Sequence, residues 1–307
     1  MRSWSFFLSL LCALALFGFG QSDSHPEVGF RADTTLVLIP VSVTDSSNRY
    51  VLGLEKQNFH LVEDNAEQTI AHFSSEDAPL SVGLLVDVSG SMGSKLGTSR
   101  KAAIEFLKTL NATDEAFLVE FSDRAQLAVP FTHDTASIEK EIGAARSGGL
   151  TALLDGVHIG LQEMKNAHNP RKALLIISDG GDNNSRYTST EIQDLVREAD
   201  VQIFAMGVFE PYLGLGLTPA EIGGPRLLAE IAEQTGGRAL AANNPIELPG
   251  IAERIGLELR NQYLLAYSPS NPSRDGKYRH VQVTLLPPKE LPPLKARWRL
   301  GYYAPAE

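Results

Sequence analysis

Residues 81–92, with the sequence SVGLLVDVSGSM, decide the fold of this chain. The apolar first half of the stretch is typical of a strand that is buried on both faces, as in the centre of a parallel sheet. Asp87, Ser89 and Ser91 follow at a spacing of two, and Gly90 keeps the turn between them tight. Oxygen-bearing side chains at the end of a buried strand suit a hard divalent cation such as Mg²⁺.

Two later positions extend this motif, which by itself consists of ordinary turn residues. Residues 171–178 (RKALLIIS) are a second apolar run, and Asp179 follows it directly. Between the two runs, Thr151 comes after a glycine pair and immediately before a helical pattern. In open α/β sheets, ligands bind beyond the carboxyl ends of the strands, where the strand order reverses. We therefore expect Asp87 and Asp179 to lie side by side.

The region from residue 79 to residue 267 alternates between apolar strand patterns and amphipathic helix patterns. This alternation predicts an α/β fold with a doubly wound, mostly parallel sheet and helices on both faces. The predicted strands are residues 82–86, 116–121, 125–131, 171–178, 201–208 and 262–267. The predicted helices are residues 94–110, 134–145, 188–199, 225–235 and 245–258, together with one that follows residue 151.

Both flanks of this region are rich in β patterns. Strands are predicted at residues 33–44, 58–63 and 68–73 before it, and at residues 278–286 and 296–303 after it. Neither flank is large enough to be stable alone. We therefore predict that the two flanks pair with each other in a small antiparallel β unit beside the α/β core.

Residues 1–20 have the features of a secretory signal peptide. A positive start at Arg2 precedes an almost continuous apolar run over residues 6–17, and Gly18 and Gly20 place small residues before a plausible cleavage site. The apolar run is short for a membrane span, and an uncleaved anchor is the alternative interpretation. The sequence predicts an exported protein, periplasmic or extracellular, with no membrane span after signal cleavage.

The composition is that of an ordinary globular protein, with 307 residues of which 43% are hydrophobic and 21% are charged. The formal net charge of −10 argues against a nucleic-acid partner, because nucleic-acid binders usually carry a basic surface. The single cysteine, Cys12, lies inside the predicted signal segment and follows Leu11 rather than a small residue. We therefore expect no lipid attachment, and neither a disulfide nor a thiol nucleophile in the mature chain.

The order Asp-x-Ser-x-Ser, then Thr, then Asp resembles the metal-ion-dependent adhesion site of von Willebrand factor type A (VWA) domains. All five positions of that site are filled in this sequence. By this resemblance, the hydroxyls of Ser89 and Ser91 bind the cation directly, and that of Thr151 does so in the ligand-bound state. Asp87 and Asp179 would hold the cation largely through water.

The resemblance further implies Mg²⁺ as the cation, with Mn²⁺ or Ca²⁺ able to replace it. A metal whose inner ligands are hydroxyls and water stays strongly electrophilic, and it would take an Asp or Glu carboxylate of a protein partner as its last ligand. Gly90, Asp155 and Gly180 are expected to support the ligands from outside. For Asp155, a favourable charge in the first turn of a helix is an equally good interpretation.

The resemblance covers about residues 79–267 and implies a Rossmann-like VWA fold there. The flanks, with Glu63-Asp64 and the closing GYYAP of residues 301–305, resemble exported VWA-related proteins of Acidobacteria. The predicted organisation is a signal peptide at 1–20, an N-terminal β-rich flank at 21–78, the VWA domain at 79–267 and a C-terminal β-rich flank at 268–307.

Catalysis has little support in the sequence. A metal hydrolase needs carboxylate or histidine ligands and a general base, whereas the sequence has no His-Glu-x-x-His and no histidine at ligand spacing beside the motif. We therefore predict a metal-dependent protein-binding module that is not an enzyme. A structural component of an envelope assembly with a stabilising metal is the alternative, and a metal-dependent hydrolase is a weaker one.

Two further features are candidates for the same face. Asp182 could bind metal, although shaping the turn after the second apolar run is the better interpretation. Residues 209–224 are a Pro- and Gly-rich excursion that should rise on the metal face and could select the partner. A plain loop folded on its own apolar residues is an equally good interpretation of that excursion.

Overall fold

The computed structural model describes residues 36–209, 218–242 and 244–306. The predicted signal peptide and the middle of the 209–224 excursion lie outside the described residues. In chain order, the strands are β1 (Val37–Thr44), β2 (Phe59–Glu63), β3 (Ala66–Gln68), β4 (Ile70–Ser74), β5 (Leu80–Asp87), β6 (Glu115–Phe121), β7 (Ala125–Thr132), β8 (Arg171–Ser178), β9 (Gln202–Val208), β10 (Ala239–Ala242), β11 (Gln262–Tyr267), β12 (Tyr278–Leu285), β13 (Lys295–Trp298) and β14 (Gly301–Tyr303). The helices are α1 (Leu96–Leu107), α2 (Thr135–Ala144), α3 (Leu153–Glu163), α4 (Ser189–Glu198), α5 (Pro219–Glu233) and α6 (Leu248–Arg260). Within the described ranges, no helix has both the length and the apolar character needed to cross a membrane.

The central sheet has six strands in the order β10-β9-β8-β5-β6-β7, and every neighbouring pair is parallel except β6 and β7. Strand β5 runs in the middle, and all eight of its residues are buried. Its side chains alternate between two hydrophobic cores, one on each face of the sheet. Helices α1, α2 and α6 cover one face, and α3, α4 and α5 cover the other. The α/β fold predicted from the sequence is confirmed.

The strand order reverses next to β5. The chain proceeds from β5 to β6 and β7 on one side, and it then crosses to β8 and β9 on the other side. Strands β5 and β8 are direct neighbours in parallel register, with Val86 opposite Ile177. The residues that follow these two strands therefore emerge together at one edge of the sheet, which is where α/β proteins bind ligands.

The remaining strands form two four-stranded sheets, ordered β13-β1-β11-β4 and β14-β12-β2-β3. Strands of the N-terminal flank pair with strands of the C-terminal flank, β1 with β13 and β2 with β12, in both cases antiparallel. The two sheets share one hydrophobic core, here called the flank core, in which Tyr263 and Tyr267 are the largest fully buried side chains. The flank core is thus built from both ends of the described chain.

The structure corrects the assignment of residues 262–267. The sequence pattern placed this strand in the parallel sheet, but β11 lies in a flank sheet, antiparallel between β1 and β4. The sequence of a short buried strand does not indicate which other strand it pairs with. Here Tyr263 and Tyr267 fill the flank core instead of a face of the central sheet. The α/β layer therefore ends with α6.

The flank sheets lie at the amino-terminal ends of the central strands. Gln262 in β11 donates a hydrogen bond from Nε2 to Oε1 of Gln202, the first residue of β9, at 2.9 Å. A small cavity between the layers is lined by Leu38 and Leu264 on the flank side and by Leu80 at the start of β5. The edge predicted to bind metal is consequently the opposite end of the central sheet.

Helix α5 also differs from its prediction. The sequence pattern predicted a helix that begins at residue 225, after the 209–224 excursion, whereas one continuous helix runs over Pro219–Glu233. The Thr218 hydroxyl accepts the backbone N–H of Glu221 at 3.3 Å, and the Glu221 carboxylate accepts the backbone N–H of Thr218 at 2.7 Å. Pro225 lies inside the helix, beyond its first turn, and it removes a single backbone donor without ending the helix.

Candidate metal site

The two aspartates predicted from the sequence come together at the carboxyl edge of the central sheet. Asp87 is the last residue of β5 and is fully buried, and Asp179 directly follows β8 and is 3% exposed. Their strands are hydrogen-bonded neighbours. Two carboxylates are thus held close to each other in a largely desolvated position, where their charges repel.

Hydrogen bonds fix both oxygens of the Asp87 carboxylate. Oδ1 accepts the backbone N–H of Ser89 at 2.9 Å, and Oδ2 accepts the hydroxyl of Ser178 at 2.6 Å. The same Ser178 oxygen accepts the backbone N–H of Gly180 at 2.9 Å. Ser178 therefore links Asp87 to the loop after β8. Sequence analysis missed this role because Ser178 is the last residue of a predicted strand, whereas ligand and supporting residues were sought in the loops that follow the strands.

The two serine hydroxyls of the motif converge. Ser89 is buried and precedes a single 3₁₀ turn over Gly90–Met92, and this turn brings the hydroxyls to the same side. The Oγ atoms of Ser89 and Ser91 lie 3.1 Å apart. Adjacent oxygen ligands of an octahedral Mg²⁺, with bonds of about 2.1 Å, are separated by about 3 Å. The spacing of the two hydroxyls therefore fits a shared small cation.

Backbone hydrogen bonds dock the loop that carries Thr151 onto the serine motif. The N–H of Gly90 donates to the carbonyl of Gly149 at 3.0 Å, and the N–H of Gly148 donates to the carbonyl of Val88 at 2.9 Å. Thr151 itself is buried. The structure thus brings the third predicted hydroxyl to the loops that hold the other ligands.

A second connection joins Thr151 to the loop after β8. Asn183 accepts the backbone N–H of Thr151 on Oδ1 at 2.8 Å, and the carbonyl of Thr151 accepts the backbone N–H groups of Asn183 and Asn184, both at 3.0 Å. Sequence analysis missed the role of Asn183. An asparagine shortly after the end of a strand is only a weak signal for such a contact, because asparagine is common in turns of every kind.

Two of the predicted supporting residues are glycines at close approaches. A Cβ atom on Gly90 would lie 3.1 Å from the carbonyl oxygen of Gly149. Gly180 has a φ of +78°, and a Cβ atom there would lie 2.5 Å from the carbonyl oxygen of Gly224 in α5. A side chain at Gly180 would therefore push the Asp179 loop away from α5.

The third predicted supporting residue, Asp155, binds the far end of the loop after β8. Its carboxylate accepts the backbone N–H groups of Arg186 at 2.9 Å and Tyr187 at 3.3 Å, and it pairs with the Arg186 guanidinium at 3.0 Å. It lies buried in the first turn of α3. Asp182 accepts the hydroxyl of Ser185 at 2.5 Å within the same loop, so its contact shapes the turn.

A buried lysine that sequence analysis missed contacts the site. Nζ of Lys95 donates to Oδ2 of Asp179 at 2.8 Å, and the two side chains are 9% and 5% exposed. Lys95 lies directly before α1, which follows the serine motif. The two residues are 84 positions apart, so nothing in the local pattern around Lys95 indicates this pair.

The donor set fits a small hard cation. It offers three hydroxyls and two carboxylates, and oxygen donors of this kind suit Mg²⁺, Mn²⁺ or Ca²⁺ better than softer metals. Among the residues that the structure describes, no group of three or more His, Cys, Asp or Glu side chains could hold a metal. A cation at this edge would therefore depend on the serine and threonine hydroxyls.

The surroundings of Asp87 change its affinity for a proton. Burial raises the pKa of this carboxyl from 3.8 to about 6, and the neighbouring Asp179 carboxylate adds to the rise. Hydrogen bonds from Ser178 and Ser89 lower the pKa and offset part of the effect of burial. In the absence of metal, the folded chain therefore binds a proton at Asp87 more tightly than the unfolded chain does.

We expect Asp87 to make the metal-free protein less stable as the pH rises from about 4 to about 6. In this window the folded state binds more protons than the unfolded state, so the free energy of unfolding falls with a slope of up to about 1.4 kcal/mol per pH unit. Urea unfolding of chelator-treated protein across this range measures the effect, with Asp87→Asn as the control. Parallel pH profiles for the wild type and the variant would contradict the raised pKa.

The middle of the chain matches a known family. Residues 82–181 match the family model described as a von Willebrand factor type A domain. The match runs from within β5 to just beyond β8, and it includes all five predicted metal ligands. Together with the central parallel sheet and its two helical layers, this match identifies the region as a VWA domain.

Solved structures agree with the fold, and the chain also has a curated relative that is similar in sequence. The structure described as von Willebrand factor type A from Catenulispora acidiphila is 13% identical, with a TM-score of 0.52, and covers 90% of this chain and 75% of its own. Proximal thread matrix protein 1 from the mussel byssus is 18% identical, with a TM-score of 0.51, over 64% of this chain and 51% of its own. An uncharacterised protein of Borreliella burgdorferi is 26% identical over 182 residues, which are 52% of this chain and 53% of that relative. The chain thus spans about half the length of this relative.

Proposed function

We propose that this chain is an exported module that binds a protein partner through a divalent cation. The residues that would hold the cation are Asp87, Ser89, Ser91, Thr151 and Asp179. The observation that carries the proposal is the convergence of two serine hydroxyls, 3.1 Å apart, beside two buried carboxylates. When bound, the cation would supply an electrophilic centre for an Asp or Glu carboxylate of the partner.

Mg²⁺ is the proposed cation, with Mn²⁺ or Ca²⁺ as substitutes, because the donors are all hard oxygens. Neutral hydroxyls as ligands would leave much of the metal charge uncompensated, which favours an anionic partner group. The proposed export rests on the signal-like sequence of residues 1–20. The net charge of −10 disfavours a nucleic acid as the partner.

Exposed apolar side chains beside the site support a protein as the partner. Leu150, next to Thr151, is 49% exposed, and Ile222 near the start of α5 is 58% exposed. A Cβ atom on Gly181 would lie 3.9 Å from the backbone nitrogen of Glu221, so this end of α5 adjoins the Asp179 loop. A protein surface that presents a carboxylate to the cation would also bury these apolar side chains, which favours binding.

Calorimetric titration with Mg²⁺ tests the proposal. We expect the wild type to bind the metal and Asp87→Ala to bind it at least about tenfold more weakly, because this carboxylate orients the ligand loops. Asp194→Ala, which removes an exposed carboxylate on α4, is the matched control and should bind Mg²⁺ like the wild type. No binding by the wild type, or equal binding by the wild type and Asp87→Ala, would overturn the proposal.

One observation favours a second candidate, a structural component of an envelope assembly whose metal only stabilises the loops. The ligand loops are already joined by backbone hydrogen bonds, as between Gly90 and Gly149, so a cation would reinforce an existing scaffold. Under this candidate, Ser89→Ala lowers the melting temperature but leaves a crosslinked pull-down from the native envelope unchanged. Under the preferred proposal, the same variant loses the partner, as the wild type does in the presence of a chelator.

A further inference from the structure

Lys95 places a positive charge inside the proposed metal site. Its Nζ atom lies 2.8 Å from Oδ2 of Asp179, and its side chain is almost completely buried. The backbone around it is also fixed, because the N–H of Lys95 donates to the carbonyl of Met92 at 2.9 Å and its carbonyl accepts the N–H of Ser99 at 3.0 Å. The ammonium group is therefore held at a fixed position beside Asp179.

The formal charges of the buried groups define what the site can accept. The carboxylates of Asp87 and Asp179 with the ammonium of Lys95 carry a formal charge of −1. A divalent cation would change this to +1, and one added carboxylate would then bring it to zero. Without the lysine charge, the cation alone would neutralise the two carboxylates, and a further carboxylate would leave an uncompensated negative charge. Uncompensated charge is costly in a desolvated site.

We propose that Lys95 determines the ligand specificity of this site, weakening the binding of the divalent cation so that the loaded site selects a carboxylate. This inference rests on the proposed function, since it concerns the same cation and the same partner group. The lysine repels the metal and competes with it for Oδ2 of Asp179. The same positive charge then attracts the anionic ligand that binds next to the metal.

A merely structural ion pair makes a different prediction. If Lys95 only neutralises Asp179, its removal leaves an unpaired buried carboxylate, and the protein loses stability with or without metal. If Lys95 also opposes the metal, its removal lowers stability in chelator but strengthens metal binding, so Mg²⁺ restores more stability to the variant than it adds to the wild type. Metal affinity therefore separates the two roles.

Lys95→Met is the direct test, because methionine occupies a similar volume without charge. We expect calorimetric titration to show Mg²⁺ binding about tenfold tighter than in the wild type. A cation next to a carboxylate lowers the affinity of that carboxylate for a proton by about 10- to 1000-fold, and it should oppose a metal ion in the same way. We expect acetate to bind the Mn²⁺-loaded variant about tenfold more weakly, as followed by water proton relaxation. Lys95→Arg, which keeps the charge, is the matched control and should resemble the wild type in both titrations.

The outcomes separate this inference from the proposed function. Equal or weaker Mg²⁺ binding by Lys95→Met, with clear binding by the wild type, overturns the role of Lys95 and leaves the metal site in place. Unchanged acetate binding by the loaded variant also overturns it. Absence of Mg²⁺ binding by the wild type overturns the proposed function and this inference together. If Lys95→Met does not fold, Lys95→Gln, which can still donate a hydrogen bond to Asp179, is measured in its place with the same expected results.

Discussion

Gly180→Ala is expected to lower the free energy of unfolding by about 3–5 kcal/mol. Part of this loss comes from the φ of +78°, which costs a residue with a Cβ atom about 1–2 kcal/mol. The rest comes from the Cβ position 2.5 Å from the carbonyl oxygen of Gly224, because this neighbour is backbone and has no side chain that could turn away. Either the Asp179 loop or the start of α5 has to move.

Gly180→Ala is also expected to weaken Mg²⁺ binding by the folded protein. Gly180 directly follows Asp179, and its N–H donates to the Ser178 hydroxyl that in turn donates to Asp87. A shift of this loop therefore disturbs both carboxylates, and losses of about 10- to 100-fold are common when such supporting contacts are broken. Titration calorimetry at a temperature well below the melting point of the variant measures this effect.

Gly97→Ala is the matched control for Gly180→Ala. Gly97 is an exposed residue of α1, and a Cβ atom there would have no neighbour within 4 Å. Alanine is favoured over glycine in helices, so this variant should be more stable by about 0.5–1 kcal/mol. Urea unfolding compares the three proteins. A Gly180→Ala protein within about 1 kcal/mol of the wild type would contradict the close approach of the loop and α5.

The sequence predicted the neighbouring positions of Asp87 and Asp179, because both residues directly follow strong strand signals. Asp87 and Asp179 each follow an uninterrupted apolar run, and the carboxyl ends of neighbouring parallel strands meet at one edge. Lys95 and Asn183 were missed for a physical reason. Their contacts depend on side-chain directions across loops, and no spacing rule connects Lys95 to a carboxylate 84 positions away.

Most of the fold was predicted, and the errors concern short strands. Strand β10 (ALAA) was not predicted, since three alanines and a leucine lack the β-branched and aromatic character of a strand. Strand β11 was predicted at the correct residues but in the wrong sheet. Its pairing is decided by contacts made by β1 and β4, which lie about 190 or more positions earlier in the chain, and by the fit of its tyrosines in the flank core. Hydrophobic periodicity in the sequence indicates which residues are buried, but it does not indicate which strand a given strand pairs with.

The second large effect is expected from Glu63→Ala in the flank core. Oε2 of Glu63 accepts the hydroxyls of Tyr267 at 2.7 Å and Tyr302 at 2.8 Å, so one buried carboxylate joins β2, β11 and β14. Alanine would leave two buried hydroxyls without this partner and would open a cavity. Each unsatisfied hydroxyl costs about 1–3 kcal/mol, so we expect a total loss of about 3–5 kcal/mol in urea unfolding.

Glu67→Ala, on the neighbouring strand β3 with a side chain 74% exposed, is the control and should change stability by less than about 0.5 kcal/mol. Glu63→Ala should nevertheless keep the wild-type affinity for Mg²⁺ while it remains folded, because the flank core adjoins the amino-terminal ends of the central strands and the metal edge is at their carboxyl ends. Equal losses of stability in the two variants would show that the tyrosine hydroxyls do not depend on Glu63. A loss of Mg²⁺ affinity in folded Glu63→Ala would show instead that the flank core controls the geometry of the metal edge.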